Sequence, residues 1–371
     1  MGILSRIRDR FFINRQDSMI FEVTQRCNHA CLYCYNVWHI ENVDYPRGEL
    51  DTEGTKRLIR EIVRQTKCRQ LTFTGGEPFL RSDLLDLISF TRGLGVTPSL
   101  ISNGSLVDDE AAKAAIARGV SLFEFPLLSS DRKVHDHLSQ SDCYDRATEA
   151  IANVKFHGGM AVAVFVGTKL NIDGFKDVVE LAIALGCDSV MFNRMNVGGR
   201  GCKHVAELLP SAEQVARALD TAEAMMEKYG IGISCSIPVQ PCIVDITKYK
   251  KLHFGYCAAG TKRSYYTVDP IGNVRMCNHT PSILGNILTD DFSRLARGKT
   301  ARDFVRARPA SCTGCALEDT CLGGCKAAAE ACYGSLTREE PFLGCNAPAG
   351  HRILSQVPAA PENREGESGA D

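Results

Sequence analysis

Cysteines carry the first chemical signal in this chain. Cys27, Cys31 and Cys34 fall within eight residues, in the run Cys27-Asn-His-Ala-Cys31-Leu-Tyr33-Cys34. Three thiolates in one loop can bind three irons of a cubane cluster and leave the fourth without a protein ligand. An open iron can take a substrate, so an incomplete set suits chemistry at the cluster. A structural zinc site is completed to four ligands, and His29 is the neighbour that could complete it. A second set lies downstream. Cys257 is followed by fourteen residues, Gly272, four residues and Cys277. Then come Cys312-x2-Cys315-x5-Cys321-x3-Cys325 and, nineteen residues on, Cys345. Cys-x2-Cys pairs also occur in zinc sites, so spacing alone leaves zinc open.

The compartment bears on how the thiols are read. The chain has 371 residues and 17 cysteines, with 43 Lys+Arg against 44 Asp+Glu. A net charge of -1 speaks against a nucleic-acid grip, which needs a basic surface. No apolar run approaches the ~20 residues of a membrane helix. The start, MGILSRIRDRFFINR, lacks the apolar stretch of a secretory signal. The expectation is a cytoplasmic protein, where disulfides are rare. An odd cysteine count also excludes a complete disulfide set.

The elements that must position these thiols show as a recurring pattern. Apolar runs at Ser18–Thr24, Gln70–Thr74, Thr97–Ser102, Leu122–Leu128, Ala161–Thr168 and Ser189–Asn193 read as buried parallel strands. Between them lie amphipathic stripes such as Leu58, Ile59, Ile62, Val63 and Leu84, Leu87, Ile88, Leu94. Gly95, Gly119, Gly158–Gly159 and Gly186 stand where the helices should stop. A long helix over Ser211–Tyr229 closes this half. Six strand–helix units imply an α/β fold, with a parallel sheet and right-handed crossovers curled into a partial or full barrel. An open doubly wound sheet has the same periodicity. Asp269-Pro-Ile-Gly272-Asn273 reads as a hairpin turn between Ser264–Val268 and Val274–Met276. The expected bounds are 1–17 for an N-terminal extension, 18–234 for the core, 235–347 for the cysteine-rich module and 348–371 for a disordered tail.

The first thiol set, with an aromatic before its last Cys, resembles the radical S-adenosylmethionine (SAM) enzymes. Other stretches match that family at strand ends: Thr74-Gly75-Gly76-Glu77-Pro78 as its GGE motif, Ser102-Asn103-Gly104 as a ribose-contacting motif, and Asn193-Arg194 after the sixth strand. The resemblance implies a partial (β/α)6 barrel with a [4Fe-4S] cluster on Cys27, Cys31 and Cys34. It also implies SAM held by Tyr33, Gly75, Gly76, Glu77, Ser102, Asn103 and Asn193. Glu77 and its bare neighbours would receive the SAM amino group. Reductive cleavage of SAM would give a 5′-deoxyadenosyl radical that abstracts hydrogen from an unactivated carbon. After the fourth strand, where many relatives have Ser-Leu-Asp-Gly, this chain has Pro126-Leu-Leu-Ser129-Ser130-Asp131.

The second set resembles the seven-cysteine SPASM extension, which binds two auxiliary iron–sulfur clusters, expected as [4Fe-4S]. By that resemblance Cys257, Cys277 and Cys325 serve a nearer cluster, and Cys312, Cys315, Cys321 and Cys345 a farther one. The nearer cluster has three ligands. Either one iron is open, or Cys242 or Cys332 closes it. Cys68, Cys143, Cys187, Cys202 and Cys235 read as inert thiols. His135-Asp136-His137 reads as a solvated face, and His279 as a residue near the auxiliary site without an assigned catalytic role.

The resemblance implies a peptide or peptide-derived cofactor precursor as substrate, with tetrapyrrole or other small-molecule modification as the alternative. Sulfatase maturation fits less well, because those relatives carry Asp where Asn278 stands. They also have a further Cys shortly after the position of Cys257. Only about 17 residues precede the first strand, so a leader-peptide-binding module is expected as a separate chain. The Arg-rich start (Arg6, Arg8, Arg10, Arg15) reads as a solvated segment. A flavodoxin or ferredoxin is the expected electron donor. A zinc-stapled scaffold without catalysis is the non-enzyme reading.

Overall fold

The protein is described by a computed structural model covering residues 16–41, 43–261 and 263–346. The Arg-rich start and the expected disordered tail lie outside these residues. Strands β1 (Ser18–Thr24), β2 (Gln70–Gly75), β3 (Thr97–Ile101), β4 (Phe123–Pro126), β5 (Ala161–Gly167) and β6 (Ser189–Arg194) lie side by side in sequence order. All are parallel. Each therefore needs a crossover, and helices supply it: α1 (Thr52–Thr66), α2 (Leu84–Gly93), α3 (Asp109–Ala117), α4 (Arg132–Ser139), α5 (Tyr144–Phe156) and α6 (Phe175–Ala184). Strand side chains alternate between two faces. Met19, Phe21, Val23, Leu71, Phe73, Phe123 and Phe125 are fully buried. The apolar stripes of the helices meet this face, with Leu58, Ile59 and Ile62 of α1 and Leu84, Leu87 and Ile88 of α2 wholly or almost wholly buried.

Helix ends follow the local sequence. Asp51 accepts the Gly54 amide at 2.7 Å to start α1, and Asp108 accepts that of Ala111 at 2.8 Å to start α3. Ser211 and Gln214 form a reciprocal capping box at the start of α7 (Ala212–Tyr229). Gly119 and Gly186 take φ of +91° and +79° just past helix ends, which side chains disfavour.

The sheet is larger than six strands. β7 (Gly232–Cys235) and β8 (His253–Phe254) continue it in parallel beyond β6. At the other side β9 (Thr267–Val268) pairs in parallel with β1, placing Ile20 opposite Thr267. The expected hairpin then adds β10 (Asn273–Arg275) and β11 (Ile283–Asn286), both antiparallel to their neighbours. Among the described residues the result is an 11-stranded sheet with β11 and β8 at its two edges, open rather than closed. The cysteine-rich module thus begins as a continuation of the core sheet. It ends in α8 (Lys299–Arg306), α9 (Lys326–Tyr333) and α10 (Pro341–Asn346).

Two buried ion pairs tie this module to the core. Arg194, at the end of β6, reaches Glu340 just before α10, with both side chains fully buried. Its guanidinium also donates to the Pro238 carbonyl at 2.8 Å and stacks on Phe342 at 4.3 Å. Arg275 of β10 pairs with Glu22 of β1 in the same buried manner. A buried pair adds little net stability, but losing one partner strands a charge.

Candidate active site

The loop after β1 carries Cys27, Cys31 and Cys34, and its root is gripped by the first turn after β2. Gly76 N–H donates to the Thr24 carbonyl at 2.9 Å, and Glu77 N–H to that of Arg26 at 2.8 Å. A side chain could not be accommodated here. A Cβ on Gly75 would lie 2.2 Å from the Thr24 oxygen, and one on Gly76 1.9 Å from the Arg26 oxygen. The two glycines are therefore required for the backbone of the cysteine loop to approach β2.

Glu77 is completely buried. Its carboxylate accepts from the Ser102 hydroxyl at 2.9 Å, the Asn103 amide at 2.7 Å and the Phe79 amide at 3.1 Å. Burial pushes its carboxyl up to about 7, against the pull of these donors. In this structure Glu77 links the ends of β2 and β3. Asn103 in turn donates to Asn28 at 2.9 Å, inside the cysteine loop. Asn193 accepts from the Ser236 hydroxyl at 2.7 Å. Arg194, its neighbour in the same motif, points away to Glu340 as described. The phenol of Tyr33 bonds the Cys31 thiol.

The three thiols lie within electrostatic reach of one another. Burial first, then the neighbouring Cys34 and Cys27, raises the Cys31 thiol, while the Cys34 thiol is pushed up to about 11. A crowd of thiolates is costly without a cation, and a coordinated thiol is deprotonated outright. The arrangement fits a polynuclear cationic centre. Arg200, which the sequence reading passed over, sits by Cys27 and hydrogen-bonds Cys34. It rides on the Gly198–Gly201 segment, which wraps the cysteine loop. Gly201 N–H donates to the Cys34 carbonyl at 3.2 Å, and Gly199, at φ +49°, would put a Cβ 2.6 Å from that oxygen. The density of glycines was the available signal.

The second set divides in space. Cys277 faces Cys325 and Cys257, and burial beside them pushes its thiol up to about 12. The Lys326 ammonium faces all three, and burial lowers it to about 8. Cys312 faces Cys321, Cys242 and Cys315. Cys242 thus lies with the farther set rather than the nearer one. Cys332 instead meets Cys202 at 3.0 Å between sulfurs, with Cys325 also in reach. Cys345 is exposed on α10 and acts on Tyr333. Cys68, Cys143, Cys187 and Cys235 are buried. Among the described residues no three His, Cys, Asp or Glu side chains close on the position of a single metal ion. A cluster spreads its thiolates over several irons and does not require that convergence.

The two thiol regions touch. Tyr35, next to Cys34, stacks on His279 with ring centroids 4.1 Å apart, and its hydroxyl accepts from Asn278 at 2.9 Å. His279 also bonds Asn196 at 3.1 Å, and Asn196 donates to the Cys325 sulfur at 3.3 Å. Burial lowers the His279 imidazole to about 3, so it is neutral here. The His135–His137 run needs a correction: His135 is buried rather than solvated, packed edge-on to Tyr144 at 5.6 Å. The helical period turns it inward while His137 stays outside.

Comparison with known proteins joins these observations. Residues 21–182 match the Radical SAM superfamily, and residues 257–316 match the SPASM iron–sulfur cluster-binding domain. This is a radical SAM enzyme with a SPASM domain. The radical SAM enzyme is 25% identical over 369 residues to a PqqA peptide cyclase of Rhodopseudomonas palustris, covering 95% of this chain and 92% of the relative. It is 26% identical over 360 residues to that of Methylocella silvestris, covering 94% and 91%. In fold it is similar to SuiB of Streptococcus suis solved with S-adenosylmethionine, with a TM-score of 0.69 and 14% identity. That likeness spans 91% of this chain and 80% of SuiB. The structure of native anSMEcpe with bound AdoMet gives a TM-score of 0.65 at 17% identity, over 88% and 93%. The cofactors are accordingly SAM and iron–sulfur clusters, and the zinc scaffold is set aside. No helix among the described residues is long and apolar enough to cross a membrane.

Proposed function

We propose that this radical SAM enzyme matures a peptide or peptide-derived cofactor precursor. The observation that carries the reading is the contact of Tyr35 with His279, which brings the three-thiol loop and the nearer SPASM thiols together. The likeness to PqqA peptide cyclases along most of the chain supports a peptide as the substrate class. SuiB, of similar fold, was solved with its precursor peptide SuiA. The bound cofactors would supply a 5′-deoxyadenosyl radical that takes one hydrogen atom from the substrate.

The chain's own residues do the positional work. Cys27, Cys31 and Cys34 hold the cluster that serves SAM. Gly75, Gly76, Glu77, Ser102, Asn103, Asn193 and Tyr33 frame SAM at the strand ends, where parallel α/β sheets build sites. Cys257, Cys277 and Cys325 hold the nearer auxiliary cluster, with Lys326 offsetting thiolate charge. Cys312, Cys315, Cys321 and Cys345 hold the farther one. A flavodoxin or ferredoxin delivers the electron.

The test is incubation of reduced, reconstituted enzyme with SAM and the short peptides encoded beside its gene. The expected result is peptide-dependent 5′-deoxyadenosine together with a mass change in one peptide. Turnover of a tetrapyrrole with every peptide unchanged would refute it.

A further inference from the structure

One carboxylate stands on the inner face of the sheet apart from the cysteine and SAM residues. β4 reads Phe123-Glu124-Phe125-Pro126, and both Phe side chains are fully buried on the helix side. Alternation puts Glu124 on the opposite, inner face. Strand register sets it beside Ile101 of β3 and Val162 of β5, so its flanking strands offer it no charge. Its neighbour from the cysteine loop is Tyr35, whose phenol it pushes up together with Glu22 of β1. Glu124 is therefore within reach of the place where the SAM loop and the SPASM module touch. The side chain is only partly covered, so its carboxylate can be reached from the inner face.

The other carboxylates of this region are engaged. Glu22 is held by Arg275, Glu77 by Ser102 and Asn103, and Glu340 by Arg194 and Gln240. Glu124 has no hydrogen-bond or ion-pair partner among the described residues. The other polar groups near Tyr35 are poor proton acceptors. Asn278 carries an amide that already donates to Tyr35, and the His279 ring is bonded to Asn196.

We infer that Glu124 is the catalytic base that accepts a proton from the peptide substrate. The inference rests on the peptide reading above. Forming a new bond within a peptide removes two hydrogens in all. One leaves as an atom, carried off by the 5′-deoxyadenosyl radical. The other leaves as a proton to a Glu124 carboxylate oxygen, and one electron passes to an oxidised iron–sulfur cluster as one-electron acceptor. Burial supports the role by raising the Glu124 carboxyl to about 7, close to the pH at which a general base works best.

The experiment uses the reconstituted holoenzyme, wild type against Glu124→Gln and Glu124→Asp, with a peptide deuterated at the abstracted position. In Glu124→Gln, deuterium transfer into 5′-deoxyadenosine should stay within about 3-fold of wild type. Product should fall by about 10²-fold or more, as for loss of a general base. Glu124→Asp should recover part of the product. The acid limb of the wild-type pH profile, near neutral, should vanish in Glu124→Gln. Infrared difference spectra should show a carboxyl band titrating in that range in wild type and absent from the Gln variant. Wild-type product yield in Glu124→Gln would overturn the inference. So would equal loss of deuterium transfer and product, or the absence of that carboxyl band. If wild type makes no peptide-dependent 5′-deoxyadenosine, the peptide reading itself fails and the inference falls with it. That outcome is seen before any variant is compared.

Discussion

Replacing Gly76 by Ala tests the grip on the cysteine loop. The added methyl would sit 1.9 Å from the Arg26 carbonyl oxygen and 3.0 Å from the Cys27 nitrogen. Ordinary contact begins near 3.4 Å, so the two backbones must separate by about 1.5 Å. Overpacking against backbone costs about 1–3 kcal/mol. Separation also weakens the Gly76–Thr24 and Glu77–Arg26 hydrogen bonds, each worth about 1 kcal/mol. The loss of about 3–5 kcal/mol is a large part of the ~5–15 kcal/mol that holds a domain folded. A local shift of the cysteine loop away from β2 relieves part of it. The expected outcome is a folded protein that keeps its SPASM iron but loses the cluster on Cys27, Cys31 and Cys34. Iron and labile-sulfide analysis with electron paramagnetic resonance of the reduced protein measures this, and 5′-deoxyadenosine formation should drop at least 100-fold, as ~1 Å misplacements do. A Gly76→Ala protein with full iron and wild-type SAM cleavage would show that the glycine contact does not set the loop.

Cys31→Ala should abolish 5′-deoxyadenosine while the auxiliary iron remains, as read by iron content and chromatography of the quenched reaction. Glu340→Gln leaves the Arg194 guanidinium buried without its counter-charge, and should cost about 3–5 kcal/mol in chemical denaturation. Pairing Arg194→Met with Glu340→Leu should cost less than the single change. His135 is buried and lowered to about 4 from 6.5, so the folded state holds it neutral. The stability it contributes is complete above pH ~6.5 and is lost as pH falls toward 4, amounting to about 3 kcal/mol. His135→Leu should flatten that decline, measured as unfolding free energy at pH 7 and pH 5.

Much of the fold could be read from the chain because its code is local. Buried parallel strands are apolar throughout, so β1 was bounded at Ser18–Thr24 as found. The capping box at Ser211 and the turn at Gly272 are likewise short-range. β7, β8 and the pairing of β9 with β1 were missed. They are only four, two and two residues long, too short to show a period. Which way Arg194 turns could not be read, because a motif at a strand end does not say where its side chain points. Arg200 was overlooked because its chemistry depends on a loop folded against Cys34.

The sequence by itself determined the thiol inventory, the spacing of Cys27, Cys31 and Cys34 within one loop, and the glycines that let that loop meet β2. Residues a few positions apart cannot separate far, so such relations survive any packing. Tertiary structure decided the rest. It set Cys202 against Cys332 across 130 residues of chain, put Cys242 with Cys315 and Cys321, and brought Tyr35 onto His279. It also left Glu124 without a partner among the described residues, on the inner face. Those proximities arise from which elements bury their apolar faces together, and chain spacing carries no record of that choice.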